Sequence, residues 1–156
     1  DIAETENTFV GNALLKARHV FEAFKTPVFA DDSGLEVTAL NGAPGVYSAR
    51  YAGEEKNHDK NSAKLLVELA SESSRAAQFK TVIAYKDATT EMTFEGIVNG
   101  FIAEKPTGSG GFGYDPLFIP EGYDKTFAAL PNEVKLRLSH RSRAVAKLYR
   151  YLKSLT

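Results

Sequence analysis

Two acids, Asp31 and Asp32, stand side by side directly after the apolar run Val28-Phe29-Ala30, and Ser33-Gly34 follows. Adjacent carboxylates cannot both point into an apolar interior without a large desolvation cost. Any fold this chain adopts must therefore bring the end of that short buried strand to a polar cleft or to the surface. A strand end that projects acids is a natural site for Mg²⁺, which favours hard oxygen ligands. The same four residues also read as a polar turn in which Asp32 or Ser33 caps backbone N–H groups. From the residues alone both readings stand.

The flanking pattern supplies the scaffold. Thr8 to Phe24 reads as an amphipathic helix capped by Thr8, with Phe9, Ala13, Ala17, Val20, Phe21 and Phe24 on one face, and Pro27 stops it. Leu35-Glu36-Val37 resumes alternation, Asn41-Gly42-Ala43-Pro44-Gly45 is a turn, and a second helix is expected from about Asn57 to Ala70 with Leu65, Leu66 and Leu69 as its stripe. Gln78 to Tyr85 alternates as a strand; Met92 to Ala103 reads as one or two strands, interrupted near Asn99-Gly100. Leu117-Phe118-Ile119 is a further strand, and a helix from about Arg141 to Leu155 closes the chain. The expected class is α/β, mixed α+β, around a twisted mixed sheet, in one domain spanning 1–156.

Composition narrows the function. At 43% hydrophobic and 25% charged the 156 residues are those of an ordinary globular domain. A net charge of −1 gives no basic field for nucleic acid, and no apolar run approaches the length of a membrane span. The absence of cysteine removes disulfides, thiolate metal sites and a cysteine nucleophile, and fits a reducing compartment. Charge is nonetheless split. Lys135, Arg137, Arg141, Arg143, Lys147, Arg150 and Lys153 crowd the last stretch, whereas Glu4, Glu6, Asp31, Asp32, Glu36, Glu54 and Glu55 fall in the first third. Carboxylates holding a cation while bases hold a polyanion would use that split; solvated helix faces would also produce it.

Three further segments carry polar or aromatic groups. Gly108-Ser109-Gly110-Gly111-Phe112-Gly113-Tyr114-Asp115-Pro116 combines glycines, which permit close backbone approach, with aromatics on which a purine can stack. It lacks the Gly-Lys-Ser/Thr of a phosphate-cradling loop and otherwise reads as a long turn. Lys135 with Ser139-His140-Arg141 can hold phosphate or carbonyl oxygens, or can be a helix connection with its bases in water. Pro44-Gly45-Val46-Tyr47-Ser48-Ala49-Arg50-Tyr51 suits a cleft lining or a subunit contact, and its spacing does not choose. His19, His58 and His140 have no metal-ligand spacing, and there is no Gly-x-Ser-x-Gly elbow.

Taken together, Thr8-Phe9, Asn12-Ala13-Leu14-Leu15-Lys16-Ala17-Arg18, Ala30-Asp31-Asp32-Ser33-Gly34-Leu35, Gly42 to Tyr51, Gly111-Phe112-Gly113-Tyr114-Asp115-Pro116 and Ser139-His140-Arg141 occur in one order and spacing. In that order they closely resemble the inosine/xanthosine triphosphate pyrophosphatases, a house-cleaning family acting on damaged purine nucleotides, over essentially the whole chain. The resemblance implies a long central mixed sheet with flanking helices, two lobes around a cleft, a homodimer and a cytoplasmic location. It makes Asp32 the proton acceptor and a metal contact, and Glu4 the second contact to Mg²⁺. Ser33, Phe112, Gly113, Tyr114, Asp115, Lys135, His140 and Arg141 become substrate contacts.

The mechanism so implied is Mg²⁺-dependent attack of a water, activated by Asp32, on the α-phosphorus of ITP, dITP or XTP, releasing the monophosphate and pyrophosphate. No nucleic-acid or membrane partner is expected. Relatives normally carry a strand and a Thr/Ser-x-Asn-x-x-Lys phosphate loop ahead of the position of Asp1. The chain therefore reads as N-terminally incomplete relative to the family, and the alternative is a purine-nucleotide-binding module without turnover.

Overall fold

The computed structural model describes all 156 residues. In chain order the elements are α1 (Phe9–Phe24), β1 (Val28–Val37), α2 (His58–Leu69), β2 (Ala76–Lys86), β3 (Glu91–Ile102), β4 (Phe118–Pro120), α3 (Asn132–Leu138) and α4 (His140–Ser154), with short 3-10 turns at Thr38–Leu40 and Gly45–Arg50. The strands form one four-stranded sheet in the order β1-β2-β3-β4. The α/β class expected from the pattern is the class observed. Within it the sheet is antiparallel: β2 and β3 are joined as a hairpin, where Asp87 N–H donates to the Thr90 carbonyl at 3.0 Å, and β4 pairs antiparallel with β3, Phe101 opposite Ile119.

Helix boundaries follow their local signals. Thr8 caps α1 by accepting from Gly11 N–H at 3.0 Å, and Asn57 caps α2 by accepting from Lys60 N–H at 2.9 Å. Three strand expectations needed correction. First, β1 does not end at the acids; it continues as extended chain through Asp31-Asp32-Ser33-Gly34 to Val37, so the turn reading of those residues is overturned. Its opening is not buried either, for Phe29 is 60% exposed. Second, β3 is unbroken. Gly100 makes no turn but admits β4, since a Cβ there would lie 2.2 Å from the Ile119 carbonyl oxygen. Third, β2 alternates in sequence but is buried on both faces from Thr81 to Tyr85, as an interior strand must be.

The chain divides into two compact units, one of Asp1–Ser33, Lys80–Ile97 and His140–Thr156, the other of Gly34–Phe79 and Val98–Ser139. In the first unit Ile83 and Tyr85 of β2 pack with Ala144 and Leu148 of α4, edged by Phe94, Tyr151 and Leu152. In the second, Leu35, Val37, Leu65, Leu69, Val98, Ile102 and Leu117 surround an aromatic group in which Phe118 lies 4.6 Å from Phe79 and 5.4 Å from Phe127, ring centre to ring centre. Each such buried side chain contributes about 1.5–3 kcal/mol, and aromatic pairing adds roughly 0.5–1.5 kcal/mol. This second core is what holds the glycine-rich loop from below, through Tyr114 and Leu117.

Candidate active site

In the first unit β1 presents its two acids in opposite directions, because neighbouring residues of a strand point to opposite faces. Asp32 faces the chain segment ahead of α1 and one face of that helix. Lys16 Nζ donates to Glu4 Oε2 at 2.7 Å and lies 3.9 Å from Asp32 Oδ1. Asn12, one helical turn before Lys16 and buried, clamps the N-terminal segment: its Oδ1 accepts from Glu6 N–H at 3.0 Å and its Nδ2 donates to the Glu6 carbonyl at 3.2 Å. That clamp fixes the path of the segment carrying Glu4. Residue type alone gives neither Asn12 nor Lys16 a role, although both stand in the motif that carries the resemblance and the i, i+4 spacing puts them on one face.

Burial and the nearby Glu4 carboxylate push Asp32 up to about 6, against the opposing pull of the Lys16 ammonium and a hydrogen bond from Asn12. Asp32 Oδ2 is buried and has no hydrogen-bond partner. A buried, unsatisfied carboxylate oxygen next to a second acid suits a hard divalent cation. No cluster of three or more His, Cys, Asp or Glu forms a cage. The donor set still fits Mg²⁺, which is commonly held by one or two carboxylates together with substrate phosphates and water.

Asp31 faces the other way. Its Oδ2 accepts from Arg141 Nη1 at 2.7 Å, and Arg141 Nη2 donates to Ser33 Oγ at 3.2 Å. Arg141 sits in the first turn of α4, which approaches β3 closely at Gly96; a Cβ there would lie 2.0 Å from the His140 carbonyl oxygen and 2.5 Å from Ala144 N. His140, beside it, is half-buried at the start of the same helix.

In the second unit the residues from Phe112 to Asp115 separate into display and anchor. Phe112 is 69% exposed, while Tyr114 and Asp115 are buried. Asp115 accepts from Phe112 N–H at 3.0 Å and forms a close ion pair with Lys135 of α3, whose Nζ also lies 5.0 Å from the Phe112 ring centre. Gly113, at a φ of 60° that disfavours any side chain, donates its N–H to His58 Nδ1 at 3.1 Å. His58 flanks Phe112, their rings 6.4 Å apart. The Tyr114 hydroxyl donates to the Ser48 carbonyl at 2.7 Å, and burial raises its pKa.

Ser48 in turn accepts from Leu35 N–H at 2.9 Å through its hydroxyl. Asn61 holds the same loop by donating to the Ala49 carbonyl and accepting from Ala52 N–H. The Pro44–Tyr51 segment thus supports the loop through Ser48, whereas Tyr47 remains exposed with Arg50 over its ring. Ser48 stands in the Gly42–Tyr51 segment that carries the resemblance, whereas His58 and Asn61 have no sequence signal beyond residue type.

The structure therefore groups Glu4 with Asp32, Ser33 with Arg141, and Phe112, Gly113, Tyr114 and Asp115 with Lys135. What these groups offer is an acid pair for a cation, a guanidinium of α4 held by two strand residues, and an exposed ring flanked by a lysine and a histidine. Known proteins are similar to this chain over nearly its whole length. A dITP/XTP pyrophosphatase of Flavobacterium johnsoniae is 55% identical over 148 residues, covering 95% of this chain and 77% of the relative, and one of Porphyromonas gingivalis is 54% identical over 97% and 79%. Among solved structures, the Ham1 protein of Staphylococcus aureus superposes with a TM-score of 0.97 at 46% identity, covering all of this chain and 82% of its own. The HAM1 protein of Coxiella burnetii reaches 0.95 at 42% identity, over 99% and 81%. No helix is long and apolar enough to cross a membrane. Residues 1–151 match the Ham1 family throughout, and the chain belongs to that family.

Proposed function

We propose that this chain is a nucleoside triphosphate pyrophosphatase acting on damaged purine nucleotides, dITP, ITP and XTP, and that it releases the monophosphate and pyrophosphate. The observation that carries the reading is the Glu4–Asp32 pair, with Asp32 pushed up to about 6 and one of its oxygens buried without a partner. A divalent cation belongs to this chemistry, and Mg²⁺ is the ion proposed. Glu4 and Asp32 would hold it, and its contribution when bound is neutralisation of charge on phosphate oxygens.

The chain's own residues supply the rest. A carboxylate with a raised pKa is a better proton acceptor near neutrality than an ordinary one, which suits Asp32 to take the proton of the attacking water. Lys16 balances the charge of the acid pair and keeps both carboxylates in place. Phe112 offers its open face to a purine, with Lys135 held beside it by Asp115. Arg141, a donor with no acceptor capacity, pairs with a 6-keto oxygen and not with the 6-amino group of adenine. Ser33, Gly113 and His140 complete the proposed contacts. A homodimer working in the cytoplasm is part of the proposal on the strength of the family resemblance.

The test is product analysis with ITP, XTP, dITP and ATP in Mg²⁺ or EDTA, measuring pyrophosphate and phosphate separately. Metal-dependent pyrophosphate from the keto purines, with little from ATP, is the expected result. Orthophosphate as the product, or equal turnover of ATP, overturns it.

A further inference from the structure

We infer that Asp31, the acid of the strand pair that faces away from Glu4, is a positioning residue that sets base selectivity by orienting Arg141. The geometry is specific. Asp31 engages Nη1 and Ser33 engages Nη2 from the same strand, so the guanidinium plane is defined at two points, with further N–H donors beyond those two contacts to offer a ligand. Stability does not explain the contact. Both side chains are substantially exposed, 51% for Arg141 and 37% for Asp31, and exposed ion pairs contribute little to folding. What such a contact does provide is orientation, because a two-point guanidinium loses less freedom when it meets an acceptor. The double acid of β1 thus divides into two tasks by strand alternation: Asp32 for the cation and proton, Asp31 for the arginine.

The kinetic arm of the test rests on the proposed activity; a spectroscopic arm does not. Wild type, D31N, D31E, R141A and the double variant D31N/R141A are compared for ITP and ATP with Mg²⁺. D31N is expected to raise KM for ITP about fivefold with kcat within twofold, and to lower the ITP-over-ATP ratio of kcat/KM by a similar factor. D31E recovers most of the loss, and D31N adds nothing in the R141A background. A fall in kcat at unchanged KM, or a full D31N effect on top of R141A, overturns the inference. If wild type turns over no keto-purine triphosphate, the proposed function has failed and the guanidinium ¹⁵N resonances of Arg141 decide alone. Shifted signals with faster solvent exchange in D31N uphold the positioning role, and unchanged signals reject it.

Discussion

The acid cluster of the first unit and the aromatic loop of the second are built on opposite principles. Around Asp32 the polar groups are incompletely satisfied: a carboxylate oxygen is buried without a partner, and a second acid stands close enough to raise the pKa. Around Phe112 the buried groups are matched, with Asp115 bound to a backbone N–H and to Lys135, Tyr114 bound to the Ser48 carbonyl, and only the Phe112 ring left outside. The lesson is that a site for charge chemistry keeps its electrostatic strain, whereas a site for recognition uses matched anchors to display one unburied surface.

The contrast breaks most sharply at Asp32. Asp32→Asn is expected to lower kcat by roughly 10²–10⁴-fold, the range for loss of a general base. The same change should leave the fold intact or strengthen it. A carboxyl raised in the fold makes ionisation costlier there than in the unfolded chain, so the cost is absent below about pH 4 and fully present above about 6. Melting curves of the two proteins should therefore coincide in acid and separate above pH 6, the variant melting higher by an amount on the order of 1 kcal/mol after allowance for solvent screening. A variant that melts lower at pH 8 would show that Asp32 is a structural acid.

On the pH axis, wild-type kcat/KM should fall on the acid side with an apparent pKa at or below about 6, as a bound cation favours the carboxylate. An acid limb persisting in Asp32→Asn would assign it to another group.

The loop should respond in the reverse sense. Asp115→Ala leaves a half-buried Lys135 and a backbone N–H without their acceptor, and is expected to cost about 2–3 kcal/mol in denaturant unfolding and to raise KM more than tenfold. Phe112→Ala should change stability by less than about 0.5 kcal/mol, since the ring is exposed, while raising KM roughly tenfold through lost stacking. Smallest in its effect on KM is Tyr114→Phe, which gives up one buried hydrogen bond and about 1 kcal/mol of stability. If Phe112→Ala destabilised the fold as much as Asp115→Ala, the division between display and anchor would be wrong.

Much of this was legible beforehand. The caps at Thr8 and Asn57 and the apolar stripes of α1 and α2 announce themselves because helix signals act within a few residues. The Asp-Asp and Phe-Gly-Tyr-Asp segments stand out by residue type. Other features run against their local signal. Asn99-Gly100 has turn chemistry, but the glycine serves the approach of β4. Phe24 fits the helical face yet is 70% exposed, because a periodic position at the end of a helix has nothing to pack on unless another element reaches it.

By itself, then, the amino-acid order determined the elements, the α/β class and the inventory of acids, bases and aromatics, all set by interactions short in sequence. Only the tertiary structure decided which of two neighbouring acids faces Glu4 and which meets Arg141, and which residues of the loop are displayed. Those properties depend on partners far along the chain, such as Arg141, which lies 110 positions from Asp31. Desolvation and Coulomb energy are fixed by distance in space, so they took their values only once the strands and helices had packed.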